Sequence, residues 1–215
     1  MIINILYLYA LSLHKIPCIV FFSGGSNLIS SNFYSNFLDN FNNKYKLYKV
    51  PFTFNNKKNS YFSEILIDEL STKHDKIIFI GHSSGCTTAI NKCNDKVNKL
   101  ILLDPVKTPY YSYNVNLEYL NEILVLNADK SYKWSKIPPF VPFIPFFKIN
   151  PNELNIDNNK IKVITLHEYG HSDIINNPWR DIMHYSRLSI GYNERDYIKN
   201  YHKILYNISD SFIEL

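Results

Sequence analysis

The sequence predicts an α/β domain in three layers, a mainly parallel sheet with helices on both faces. Three observations lead there. Six short runs are predominantly apolar, as strands of a sheet covered on both faces are. The stretches between them place apolar residues three and four apart, the period of a helix. One run passes directly into a glycine-flanked turn and then a helical segment, at Gly81-His82-Ser83-Ser84-Gly85.

The strands expected are Pro17–Phe22, Tyr45–Val50, Lys76–Ile80, Lys99–Leu103, Glu122–Leu126 and Ile161–Leu166. Each is rich in Ile, Leu, Val, Phe or Tyr and has a turn former close behind. The first helical segment, Ser31–Phe41, puts Phe33, Phe37, Leu38 and Phe41 on one face. Tyr61–Leu70 repeats the spacing with Phe62, Ile65, Leu66 and Glu69. Ser84–Lys92, Trp179–Leu188 and Glu194–Ile208 complete the set. Strands alternating with helices in this way build a parallel sheet covered on both sides.

At 215 residues the chain suits one domain, read here as 1–215. Hydrophobic residues at 46% against 20% charged exclude general disorder. The net charge of +4 is scattered, with no basic run beyond Lys57-Lys58, which argues against a nucleic-acid partner. Three cysteines, Cys18, Cys86 and Cys93, are too few for a disulfide framework and suit a reducing compartment. The apolar run Ile2 to Leu13 lacks a preceding basic residue and a small-x-small cleavage site. It reads as a strand or edge segment, so the expectation is a cytoplasmic protein without a membrane span.

One segment breaks the rhythm. Between about residues 130 and 159 no period is visible, and residues 137–147 hold four prolines in eleven positions, which forbids a regular helix. An insertion of this length usually serves function. The Pro/Phe run predicts either a lid over a hydrophobic substrate or a plug at one end of the core. Peripheral lipid contact is the weaker alternative, since no basic cluster accompanies it.

The turn at residues 81–85 has the pattern G-x-S-x-G in the strand–turn–helix setting of a nucleophile elbow. The central serine is held exposed in a strained conformation, and the flanking glycines allow strand and helix to approach closely. Five of the six glycines (Gly24, Gly25, Gly81, Gly85 and Gly170) fall in three loops at one end of the expected sheet. In open α/β sheets that end carries the site. Acyl transfer on Ser83 then needs a base, an acid and oxyanion donors. His171, in the loop after the last strand, is the expected base. His167 stands nearer the strand and is free to face the core, while His82 points away from Ser83. Two aspartates are candidates for the acid, Asp104 at the end of the fourth strand and Asp129 just beyond the fifth. The oxyanion donors expected are the N–H of Ser84 and one from the loop Ser23-Gly24-Gly25-Ser26.

These motifs together resemble the α/β-hydrolases and, within that fold, the chlorophyllase-like esterases. Four blocks carry the resemblance: Phe21-Phe22-Ser23-Gly24-Gly25 with Asn32-Phe33-Tyr34-Ser35; Gly81-His82-Ser83-Ser84-Gly85; Leu102-Leu103-Asp104-Pro105-Val106; and Tyr169-Gly170-His171-Ser172-Asp173. They lie in the family's order across residues 17–175. Ser23 or Gly24 stands where the family has a loop histidine, and Cys86 replaces a glycine. The resemblance implies the α/β-hydrolase fold, favours Asp104 over Asp129 as acid, and implies a Ser83–His171–Asp104 esterase with no metal or organic cofactor. The substrate implied is a small hydrophobic ester. A thioesterase or lipase fits the same triad, and a catalytically inactive ligand-binding protein on this fold is the alternative of a different class.

Overall fold

A computed structural model of the chain describes residues 15–25, 29–51, 56–107, 115–131, 148–181 and 195–215, with backbone alone for 56–64 and 195. The expected N-terminal strand at 2–13, the Pro/Phe run 137–147, Ser26 and residues 182–188 of the helix Trp179–Leu188 lie outside the described residues.

Six strands form one sheet: β1 (Cys18–Phe22), β2 (Lys46–Lys49), β3 (Ile77–His82), β4 (Lys99–Leu103), β5 (Glu122–Ala128) and β6 (Ile161–Leu166). Their spatial order is β2-β1-β3-β4-β5-β6, and every neighbouring pair is parallel. The continuous apolar runs are the reason. β1, β3 and β4 are buried at every position, so both of their faces need cover. The edge strands β2 and β6 are only partly buried.

Alternate residues of the central strands feed two cores. On one face Val20, Phe22, Phe79, Leu100, Leu102 and Val125 pack with Ile67 and Leu70 of α1 (Asn56–Lys73) and with Ala89 and Ile90 of α2 (Gly85–Lys92). On the other face Ile19, Phe21, Ile78, Ile80, Ile101 and Leu124 pack with two groups. One is Tyr34, Phe37 and Phe41; the other is Tyr201, Leu205 and Phe212 of α3 (Arg195–Glu214). This strict alternation makes the domain three-layered, and a one-residue slip of any central strand would exchange the two cores.

Lys99 is the buried charge on β4. Its ammonium donates to the Phe212 carbonyl at 2.6 Å, near the C-terminal end of α3, and meets Glu122 at 3.2 Å. A cation at a helix C-terminus satisfies a carbonyl that has no partner within the helix.

The segment Ser31–Phe41, expected as one amphipathic helix, is a 3₁₀ turn (Ser31–Tyr34), one α turn (Ser35–Leu38) and a second 3₁₀ turn (Asp39–Phe41). The apolar face holds, but asparagine competes with the helix ladder: Asn40 Nδ2 donates to the carbonyls of Asn36 and Phe37. α1 runs past both boundaries read from the sequence, α3 runs past the C-terminal one, and β2 is shorter at both ends. Among the described residues, no helix is long and apolar enough to cross a membrane.

The chain steps from β1 outward to β2, then returns past β1 to β3 and continues in order. The order therefore reverses between β1 and β3. The loops that follow these two strands carry Ser23–Gly25 and Ser83, so the fold brings both to one crevice at the carboxyl end of the sheet.

Candidate active site

Ser83 and Asp104 each stand directly after a strand, and each has a positive φ, 56° and 43°. A non-glycine residue there costs roughly 1–2 kcal/mol, so the surroundings must hold it. They do. The Ser83 N–H donates to the Leu103 carbonyl at 3.0 Å, and the Ser83 carbonyl accepts from Cys86 and Val106 at 3.1 and 3.2 Å. The Asp104 N–H donates to the Leu126 carbonyl at 2.7 Å. The turn between β3 and α2 also has no room for a side chain at its glycines. A Cβ on Gly85 would lie 2.4 Å from the carbonyl oxygens of Phe22 and Ser23, and one on Gly81 would lie 2.7 Å from the Cys86 Cα.

His171 reaches this turn from the loop after β6. Its Nε2 lies 2.8 Å from Ser83 Oγ and its Nδ1 lies 2.5 Å from Asp104 Oδ2. Because an ionised carboxylate only accepts, the proton of the neutral ring sits on Nδ1, and Nε2 accepts from the serine hydroxyl. Asp104 is buried, which by itself favours the neutral acid. The hydrogen bond and charge of His171, the charge of Lys148 and the hydroxyl of Ser131 outweigh that and hold its carboxyl well below the usual range.

Four donors surround this carboxylate. Oδ2 accepts from His171 Nδ1 and from Ser131 Oγ at 2.5 Å, while Oδ1 accepts from the Ala128 N–H and from Lys148 Nζ, both at 3.1 Å. Asp129, the other candidate acid, faces elsewhere. It meets His167 Nδ1 at 3.4 Å, and the His167 side chain is 80% exposed, so that histidine lies at the surface and not in the core.

His82, the residue before the nucleophile position, is fully enclosed. Its Nε2 lies 3.0 Å from the His171 carbonyl and its Nδ1 lies 3.0 Å from the Tyr34 hydroxyl. A carbonyl cannot donate, so Nε2 carries the proton and Nδ1 accepts from Tyr34. The same hydroxyl accepts the N–H of Gly24 at 3.1 Å. This corrects the expectation for Gly24: its amide is taken by Tyr34 and is not directed at the serine. Gly25 has a φ of 60°, the conformation that turns the loop back after β1. Ser84 stands at the position before the first residue of α2 and is buried. Burial, with the nearby charge of His171, lowers the His82 pKa to about 3, so its ring is neutral near pH 7.

The structure thus brings together Ser83, His171 and Asp104, with Ser84 and Gly25 in the adjoining turns. His82 was named from the sequence only as the neighbour of Ser83 and Tyr34 only as part of a motif block, while Ser131 and Lys148 were not singled out. Position beside Ser83 was a usable signal for His82. The bonds that the other three make to His82 and Asp104 carry none, because they span 27 to 48 residues. Among the described residues there is no group of three or more His, Cys, Asp or Glu side chains that would hold a metal. A cavity of about 1020 Å³ opens between Ser35–Asn40, Ile175–Arg180 and α3; none of Ser83, Asp104 and His171 lines it.

A family model described as an alpha/beta hydrolase of unknown function matches residues 36–124, a span that contains Ser83 and Asp104 and ends before His171. No curated protein matches the chain. Among solved structures, similar folds include one from work on the metagenome-derived lipolytic enzymes LipS and LipT, at 10% identity, with 81% of this chain and 93% of that one covered and a TM-score of 0.46. Another is a protein from Agrobacterium tumefaciens described as an alpha/beta hydrolase, at 13% identity, with 80% and 83% covered and a TM-score of 0.48. A third is the Bacillus cereus carboxylesterase, at 12% identity, with 94% and 97% covered and a TM-score of 0.42. With its all-parallel strand order, the reversal between β1 and β3 and a strand–turn–helix elbow at the carboxyl end of the sheet, the chain has the α/β-hydrolase fold.

Proposed function

We propose that the chain is a serine hydrolase that cleaves carboxylic esters through Ser83, His171 and Asp104. One observation carries the reading: an unbroken hydrogen-bonded path runs from Ser83 Oγ through both nitrogens of His171 to Asp104 Oδ2, at 2.8 and 2.5 Å. A serine hydroxyl alone is a weak nucleophile, and a neutral imidazole in contact with it is the base it needs.

In this mechanism Ser83 Oγ attacks the ester carbonyl carbon while its proton passes to His171 Nε2. Asp104 stabilises the imidazolium and keeps its Nδ1–H directed inward. The tetrahedral oxyanion is met by the Ser84 N–H and by an amide of the loop after Gly24, Gly25 or Ser26. Collapse breaks the ester C–O bond, and the Nε2 proton goes to the departing alkoxide. Water then gives a proton to Nε2 and attacks the acyl carbon; collapse breaks the bond to Ser83 Oγ, which takes the proton back from Nε2 as the acid leaves.

A hydrophobic acyl or alcohol part is supported by composition alone, the Pro/Phe run of residues 137–147. Hydrolysis of a series of p-nitrophenyl esters of increasing chain length tests the proposal. Turnover that disappears in Ser83→Ala and rises with chain length is expected. A folded Ser83→Ala variant with unchanged turnover would overturn this mechanism, and a folded parent chain without turnover would leave a ligand-binding role on this fold.

A further inference from the structure

In a triad the carboxylate stabilises the positive charge that forms on the histidine, and a cation on the same carboxylate works against that. Asp104 has such a cation. Lys148 Nζ lies 3.1 Å from Asp104 Oδ1, and the two side chains are 11% and 4% exposed. Two charges that near, removed from water, interact far more strongly than a surface pair.

Backbone pairing puts the lysine there. The Ile149 N–H donates to the Pro105 carbonyl at 3.2 Å, and Lys148 forms an antiparallel bridge with Val106. The chain at 148–149 therefore runs beside 105–106, the residues immediately after Asp104. On the other side of the carboxylate Ser131 occupies Oδ2 together with His171. The division is by oxygen: Oδ2 serves the histidine and Oδ1 holds the ammonium and the Ala128 N–H.

We infer that Lys148 is a positioning residue of this site, which holds the Asp104 carboxylate against His171 and weakens the pull of that carboxylate on the imidazolium. The inference rests on the serine-hydrolase reading above. Its sign follows from electrostatics. The ammonium cancels part of the negative potential that Asp104 places at His171, so its removal stabilises the imidazolium relative to the neutral ring.

Among the described residues, the other groups near the pair do not supply this charge. From β3, His82 is buried and neutral. From α2, the Cys86 thiol is pushed far up by burial and stays protonated. From α3, burial does the same to the Tyr201 hydroxyl. From the histidine's own loop, Asp173 accepts the Gly170 N–H at 2.7 Å.

The test is the pH dependence of Ser83 labelling by a fluorophosphonate, in the full chain and in Lys148→Met, Lys148→Gln and Lys148→Arg. Methionine and glutamine keep the stem and remove the charge, so one suffices if the other does not fold. The acid limb of the labelling rate is expected to move up by about one pH unit in the neutral variants. Lys148→Arg should restore it. A rate lowered equally at every pH with an unmoved limb would overturn the inference and make Lys148 a packing residue. An absence of labelling at any pH in the unaltered chain would remove the hydrolase reading and this inference with it.

Discussion

His82 donates from Nε2 to the carbonyl of His171, with the two rings 4.9 Å apart between centroids. Through Nδ1 the same ring accepts from Tyr34, whose oxygen accepts the Gly24 N–H. Three hydrogen bonds in series therefore connect the loop after β1 with the loop that carries the candidate base. Each joins buried groups, so each would be costly to leave unmade.

Tyr34→Phe tests that chain. The ring volume stays, but a buried amide and a buried imidazole nitrogen lose their partner. The expected loss of stability is about 1–3 kcal/mol, read from denaturant unfolding, together with lower ester turnover. Unchanged stability and turnover would mean that the chain of bonds contributes nothing to either.

The acid is identified by a pair of substitutions. Asp104→Asn keeps the shape but presents an amide where His171 Nδ1 needs an acceptor, and turnover is expected to fall by roughly 10³–10⁴. Asp129→Asn, beside the exposed His167, should stay within about threefold, since surface changes of this kind are mild. Steady-state kinetics on one short ester decides between them.

Gly85 is required by space. Gly85→Ala would drive a Cβ against two backbone oxygens at 2.4 Å, and neither β1 nor α2 can retreat without opening the core. Loss of soluble folded protein, or a thermal midpoint lower by several degrees, is expected. A variant as stable as the parent would contradict the packing described between β1 and α2.

Acid should unfold the protein through its buried histidines. Burial lowers His82 to about 3 and His202, against the Asp173 carbonyl, to about 4. Unfolded histidine takes up a proton near pH 6.5, so below that the unfolded chain binds more protons than the folded one. Stability is therefore complete above about pH 6.5 and falls as the pH drops toward 4, by up to about 1.4 kcal/mol per unit for each group. Asp104, whose folded carboxyl is also held low, adds to the loss below about pH 4. Urea midpoints from pH 8 to pH 4 should show this decline, and His202→Gln should reduce it.

The sheet was legible because strands buried on both faces cannot be polar. Lys99–Leu103 stands where it was read and is buried at every position, whereas Ile161–Leu166, also found where it was read, is a partly buried edge strand. The positions of Ser83, Asp104 and His171 were legible because each follows such a run, and two of the six glycines flank Ser83. The broken helix at Ser31–Phe41 was hidden by its apolar spacing, which three short turns satisfy as well as one helix. Lys148 and Ser131 were hidden for another reason. Their roles arise from chain segments that meet only after the sheet has formed, and a lone lysine or serine in a loop carries no mark of its partner.

An activated serine at position 83 is the central requirement of the proposed mechanism. The direct measurement is mass-spectrometric mapping of the adduct formed by a fluorophosphonate probe on the purified protein, beside Ser83→Ala. A single adduct on Ser83, absent from the variant and slowed strongly by His171→Ala, is the expected result. A well-folded protein that takes no label, or takes it equally without Ser83, would contradict the account.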